Sequence, residues 1–361
     1  MKMNNMKKVL IISNKDLNEP GGRVEKFRTR KNSLEEHGWR VIIQKVDASL
    51  FSAPKSAYQC YKTIKQQDID VINSVNNPPQ LHIIGLLAHI LTNKPWLVEY
   101  RDPLANNPEL NPNSLRNKSR KVLERIILYK ADQVVWGNGI QLNQGYFDKF
   151  SWIDTDKITK LPFLGFKEEL FHEDPPNKNE KFTLTYAGSF YENLIEPHSL
   201  LKGISEYTEM YAKDIRMCFY GDWNKEYQKM VESMGLNDIV ETNEFIPHEE
   251  IIPVLEESDI CVHIGGTDPK NKLSVPSKIW DYMGAGRPIL AVVDPEFRVA
   301  KFLQDNKLGI PVHPDDSAGI AATIDKMRSN RYDHAKYKEI SEEFTREKKM
   351  KKLVQVLNDM T

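Results

Sequence analysis

Residues 265–288 read GGTDPKNKLSVPSKIWDYMGAGRP. The segment lies between two apolar, β-rich runs, Ile260–Ile264 and Pro288–Val293. Its pattern predicts a helix from about Val275 to Met283, started by Ser274 and ended by Gly284 or Gly286. Such a helix opens at the carboxyl end of a strand. Backbone N–H groups and the helix dipole attract anions there. Ser277 and Lys278 fall in the first turn, and Lys278 can reach a phosphate as a mobile point charge. Asp281, three residues on, shares a helical face with Lys278. A carboxylate so placed can accept both hydroxyls of a ribose next to a diphosphate. Phosphate followed by ribose is a nucleotide-shaped arrangement. The same residues also fit a capped amphipathic helix with a solvated Lys–Asp pair.

Outward from this segment, short β-rich runs alternate with helical stretches. In the first half they are Lys8–Ile12, Arg40–Val46, Val71–Val75, Trp96–Tyr100, Gln133–Trp136 and Ile158–Leu161. In the second they are Phe182–Tyr186, Arg216–Tyr220, Ile239–Phe245, Ile260–Ile264, Pro288–Val293 and Ile310–Val312. This alternation predicts an α/β chain of two doubly wound parallel sheets, each covered on both faces. The expected domains are 1–165 and 166–336, joined by the polar stretch His172–Lys181, with a charged C-terminal helix at about 337–361 packing back on the first. Two such sheets facing each other would place function in the loops after the strands, on a shared cleft.

The chain has 361 residues, 40% apolar and 28% charged, enough for two full cores and unlike a disordered or fibrous chain. Its longest nearly unbroken apolar run, Leu81–Leu91, falls short of the about 20 residues a membrane span needs. No secretory leader is legible, and the three separated cysteines read as reduced thiols, so a cytoplasmic location is expected. The net charge of −1 hides an asymmetry. Residues 1–165 carry 25 Lys and Arg against 16 Asp and Glu, net +9, and the remainder carries 25 against 35, net −10. The first half therefore suits an anionic partner.

Within that half, residues 115–130 (LRNKSRKVLERIILYK) combine six basic side chains with one acid. Leu115, Val122, Leu123, Ile126 and Ile127 can form an apolar stripe. A basic amphipathic helix of this kind can lie peripherally on an anionic leaflet, or pack on its own sheet. Nucleic acid is not expected, because no binding module is recognisable and aromatics do not interleave with the charges. The Asp-x-Asp triplets Asp68–Asp70 and Asp154–Asp156 precede strands, on the edge away from a cleft, and read as turn residues rather than metal ligands. His82, His89 and His263 lack metal-ligand spacing and read as packing residues.

The stretch Val275-Pro276-Ser277-Lys278 through Asp281-Tyr282-Met283-Gly284-Ala285-Gly286-Arg287-Pro288 resembles the donor-binding motif of family 4 glycosyltransferases. Further features agree in order and spacing along nearly the whole chain. They are Gly21-Gly22 followed by Arg28, Glu36-His37-Gly38-Trp39-Arg40-Val41, Tyr100-Arg101-Asp102-Pro103, Tyr186-Ala187-Gly188-Ser189 and Phe219-Tyr220-Gly221-Asp222. The resemblance implies a GT-B fold of two Rossmann-like domains. It implies retaining transfer of a sugar from a nucleotide-diphosphate sugar, bound by the second domain, to a glycan or lipid-linked acceptor, bound by the first. Cell-surface polysaccharide or glycoconjugate synthesis is the expected setting, and neither a cofactor nor a catalytic metal is expected. Ser277 and Lys278 would contact the diphosphate and Asp281 the ribose. Gly22, Gly188, Ser189, Gly221 and Thr267 would border the donor. Asn77, Arg101 and Asp102 would lie on the acceptor side, with Asp102 and Lys278 the catalytic candidates.

The sequence also departs from the family. The family often carries two glutamates eight positions apart, and here those positions hold Leu273 and Asp281. No basic residue follows the Gly188 turn, which continues Ser189-Phe190-Tyr191. A nucleotide-sugar epimerase of the same fold, or an inactive sugar- or nucleotide-binding relative, are the competing readings.

Overall fold

The computed structural model describes residues 6–16, 22–76, 78–100, 104–105, 111, 113–136, 153–161, 165–172, 179–192, 194–211, 214–272, 274–329 and 334–361. The chain divides into two units, Met1–Phe163 with Glu347–Thr361, and Leu164–Arg346.

The first unit runs β1 (Lys8–Ser13), α1 (Gly22–Glu36), β2 (Arg40–Lys45), α2 (Ala53–Gln67), β3 (Val71–Val75), α3 (Gln80–Thr92), β4 (Trp96–Tyr100), α4 (Leu115–Lys130), β5 (Gln133–Trp136) and β6 (Ile158–Lys160). The strands form one parallel sheet in the order β2-β1-β3-β4-β5-β6. Strands such as Val71–Val75 and Trp96–Tyr100 are buried along their whole length, because helices cover both faces. On one face Leu10, Ile72, Val98 and Val134 pack against α2, α3 and α4. On the other, Val9, Ile11, Val71 and Val135 pack against Phe27 and Leu34 of α1.

The second unit runs β7 (Phe182–Ala187), α5 (His198–Met210), β8 (Ile215–Tyr220), α6 (Lys225–Ser233), β9 (Val240–Asn243), α7 (His248–Glu257), β10 (Ile260–Gly266), α8 (Lys278–Gly284), β11 (Ile289–Val293), α9 (Arg298–Asp305), β12 (Gly309–Val312), α10 (Ser317–Ser329) and α11 (His334–Glu342). Its parallel sheet has the order β12-β11-β10-β7-β8-β9, so the strand order reverses between β7 and β10.

Three expectations about the chain's organisation change. The stretch from His172 is not where the chain passes between units. Glu256 accepts both the His172 backbone N–H, at 2.6 Å, and a contact from His172 Nδ1, at 2.7 Å, within the second unit. Phe171 also lies against Gly284, and Phe166 bridges to Thr345, so this segment is anchored by apolar packing. The C-terminal segment is two helices rather than one from 337. Phe344 packs against Phe302 and Trp280 and keeps α11 with the second unit. Only α12 (Arg346–Asp359), beyond its first residue, joins the first, burying Leu353, Val356 and Leu357 beside Trp39. The third change concerns α4. Its expected single stripe is split: Ile127 is buried and Leu123 partly so, whereas Leu115, Val122 and Ile126 are exposed.

All three cysteines are buried thiols. The Asp-x-Asp residues have local duties. Asp70 accepts the Lys8 backbone N–H at 2.7 Å, and Asp154 accepts that of Asp156 at 3.0 Å. His82 and His263 are buried, and burial pushes each imidazole down to about 3. Among the described residues, no group of three or more His, Cys, Asp and Glu could hold a metal ion, and no helix is long and apolar enough to cross a membrane.

Candidate functional site

The second sheet has its switch point between β7 and β10, and an open α/β sheet binds ligands outside the strand carboxyl ends at such a point. Here the carboxyl end of β7 turns through Gly188 at φ +142°, and that of β8 through Gly221 at φ +154°. Both values favour glycine. The turns continue the sheet's ladder: Gly188 N–H donates to Tyr220 O at 2.9 Å and Gly221 N–H to Asn243 O at 3.1 Å. A side chain at 221 would overlap the Gly188 carbonyl. The two glycines are thus packed backbone to backbone.

Lys278 is the first residue of α8, and its ammonium lies 4.0 Å from the centroid of the Tyr186 ring. It sits directly against Gly188, where a Cβ would fall on Nζ. Part of the side chain reaches solvent, yet the ammonium is enclosed. Burial lowers its pKa to about 7. Among the described residues no carboxylate pairs with it. Two tyrosines build this enclosure. Tyr282 of α8 accepts the Ala187 N–H at 3.1 Å and so ties the helix to the end of β7. Tyr186 donates its hydroxyl to Ser189 O at 2.9 Å, holding the turn that Gly188 begins.

Asp281, one turn along α8, accepts a contact from His248 Nε2 at 3.0 Å. Burial raises the carboxyl's pKa, while His248, by charge and by hydrogen bond, pulls it down. Thr267, just past β10, and Ser277, just before α8, are exposed.

The helix starts three residues later than expected and has seven residues. Proline disfavours helical conformation in the residue before it, which keeps Val275 out. Entry is a tight turn, with Ile279 N–H donating to Pro276 O and Trp280 N–H to Ser277 O. Ser277 occupies the N-cap position with no side-chain cap bond. Attraction for an anion therefore rests on Lys278 more than on a long helix dipole.

Gly188, Ser189, Gly221, Thr267, Ser277, Lys278 and Asp281 all belong to this one unit. Gly22 opens α1 in the first unit. Asn77, Arg101, Asp102 and Leu273 lie outside the described residues. Tyr186, Tyr282 and His248 were not singled out from sequence. Tyr186 and Tyr282 stand inside quoted motifs, where they read as strand and helix residues; His248 carried no signal.

Residues 181–330, less than half of the chain, match the family described as Glycosyl transferases group 1. A glycosyltransferase from Rickettsia africae superposes with a TM-score of 0.66 at 15% identity, over 99% of each chain. HepE of Anabaena in complex with UDP gives 0.65 at 15% identity, over 98% of this chain and 100% of that one. The fold is GT-B. Within this GT-B chain the family match contains Lys278, Asp281 and both glycine turns. A Salmonella typhimurium protein named as a colanic acid biosynthesis glycosyltransferase, WcaL, is 25% identical over 121 residues, 33% of this chain. The matched region spans 29% of that relative's length.

Proposed function

We propose that this protein is a retaining glycosyltransferase. It moves a sugar from a nucleotide-diphosphate donor to a glycan or lipid-linked acceptor, in polysaccharide or glycoconjugate synthesis on the cytoplasmic side of a membrane. The observation that carries the reading is the Lys278 ammonium, enclosed against the Gly188 turn at the switch point of a sheet that matches the group 1 family. An enclosed cation without a carboxylate partner is costly, and a diphosphate supplies the missing charge.

In the proposed reaction the bond between the anomeric carbon and the diphosphate oxygen breaks. Negative charge develops on the diphosphate, and Lys278, already in place, stabilises it. The acceptor hydroxyl attacks the face the diphosphate leaves, and its proton passes to the departing diphosphate. Ser277 and Ser189 lie beside the phosphate position, Asp281 receives the ribose, and Thr267 borders the sugar. The family resemblance gives Gly22 a role at the phosphates. Asn77, Arg101 and Asp102 are assigned to the acceptor, with Asp102 the catalytic candidate. No catalytic metal is needed. The UDP and UDP-glucose complexes of HepE make uridine nucleotides the first donors to try.

The test is thermal stabilisation by UDP, GDP, CDP and ADP and their sugar conjugates. Ligand at a hundred times its dissociation constant adds about 2.7 kcal/mol, a shift of several degrees. A shift with one nucleotide that is lost in Lys278→Ala supports the reading. No shift with any nucleotide, in protein that melts cooperatively, makes this an inactive relative. Conversion of the donor sugar without an acceptor makes it an epimerase.

A further inference from the structure

Helices α2, α3 and α4 lie side by side on one face of the first sheet, sharing one core. Their outward surface has an unusual composition. The three helices carry nine Lys and Arg and a single acid, Glu124. Glu124 is buried, where its carboxylate accepts the Leu104 N–H at 3.0 Å. The exposed charge of the layer is therefore wholly positive. It is also greasy. Nine of the fourteen exposed large apolar side chains among the described residues lie on these helices or on the turn that leads into α2.

The two properties are interleaved along α4. Leu115, Val122, Ile126 and Tyr129 are 84%, 61%, 43% and 68% exposed. At about 100° per residue they fall within about 60° of one another on the helix surface. Exposed Lys118 and Arg125 flank this stripe on one side, and exposed Arg116 and Lys130 on the other. The helix thus has two apolar faces: Ile127 and Leu128 bury in the core, and this second one does not. Phe51 and Tyr58 of the α2 region and Ile90 of α3 extend apolar character across the layer. An apolar stripe bordered by cations, with no exposed acid, complements a surface that is apolar within and anionic at its rim. A bilayer with anionic headgroups has that structure.

We infer that the α2–α3–α4 layer of the first unit is a docking surface for an anionic lipid membrane, with the outer stripe of α4 inserted at the headgroup boundary. This deepens the transferase reading by assigning the surface that meets a lipid-bound acceptor. Its physics does not depend on that reading. Glu124 gives the docking a structural consequence, since the same helix holds Leu104, two residues beyond Asp102.

The experiment is flotation of the full chain with phosphatidylcholine vesicles, with and without phosphatidylglycerol. Val122→Ser with Ile126→Ser removes the middle of the stripe, and Lys118→Glu with Arg125→Glu reverses one of its borders. All four positions are exposed, so both variants are expected to melt as the parent does. The expected result is partition only into anionic vesicles, lowered by about tenfold or more in each variant. The nucleotide-induced melting shift should persist in both, which keeps the donor site's fate separate. Three outcomes overturn the inference: no partition at low salt, equal partition into neutral vesicles, or partition unchanged by the two serines, which marks a plain charge contact.

Discussion

The ammonium of Lys278 occupies the space in which a side chain on residue 188 would begin. Gly188 is required by its φ of +142°, whereas the lysine against it is the flexible end of a side chain. Gly221 is constrained differently, because a side chain there meets the Gly188 carbonyl, which is backbone. A flexible lysine can swing away at small cost, whereas a backbone carbonyl cannot. Gly188→Ala is thus expected to lose nucleotide binding, with about 1–3 kcal/mol of backbone strain. Gly221→Ala is expected to cost more stability, because the β7 turn itself must shift. Urea melts and nucleotide-induced melting shifts of the two variants check this. Greater destabilisation by Gly188→Ala would mean that the lysine, not the carbonyl, is the fixed element.

The lowered pKa of Lys278, about 7 against an ordinary 10.5, has a definite sign in binding. A bound diphosphate stabilises the charged form and raises the pKa. Below about pH 7 the free site is already charged, and binding takes up no proton there. Above it, binding takes up one proton, so affinity falls by up to about tenfold per pH unit. Calorimetry in two buffers of different ionisation enthalpy should show this uptake near pH 8. Lys278→Met should bind weakly with no such uptake, and an unchanged slope in that variant would assign the proton elsewhere.

Much of this arrangement is legible in the sequence. All twelve strands among the described residues stand where apolar runs place them, because strands covered on both faces, such as β1 with Val9–Ile12 and β11 with Ile289–Val293, read as unbroken hydrophobic stretches. The PSKIWD motif likewise marks the α8 site, since its residues are neighbours on a single turn. Less legible is whatever depends on which face wins. Leu123 and Ile127 of α4 turn inward while Val122 and Ile126, their immediate neighbours, do not, and periodicity alone allows either. The C-terminal helix was read as continuous because Phe344 shows no local break; it is a tertiary anchor to Trp280 and Phe302. His248 and Asp281, 33 residues apart, meet only once α7 packs beside α8.

That contact sets a competition. His248 Nε2 occupies one oxygen of Asp281 at 3.0 Å, and a ribose must share or displace it. Burial already disfavours the carboxylate, so Asp281→Asn should leave stability unchanged or slightly raised near neutral pH. It should weaken UDP binding by about 1.5–3 kcal/mol, the range for a hydrogen bond to a charged group. Pyrophosphate, which has no ribose, should bind the variant and the parent alike. Equal losses for UDP and pyrophosphate would place Asp281 at the phosphates instead.

Arg30 of α1 and Glu99 of β4 form an ion pair inside the first unit, their side chains 8% and 0% exposed. Glu99 is the penultimate residue of β4, two positions before Arg101, and its carbonyl accepts the Asn76 N–H at 3.0 Å. Removing one partner strands a buried charge, while replacing both with apolar side chains of similar volume does not. Glu99→Ala is therefore expected to cost about 3–5 kcal/mol in urea unfolding, and Arg30→Met with Glu99→Leu appreciably less. The nucleotide-induced melting shift should survive in the double variant, because the residues assigned to the diphosphate and ribose, Lys278 and Asp281, lie in the other unit. A double variant as unstable as Glu99→Ala would show that the pair's remaining hydrogen bonds, rather than its charge balance, hold α1 to the sheet.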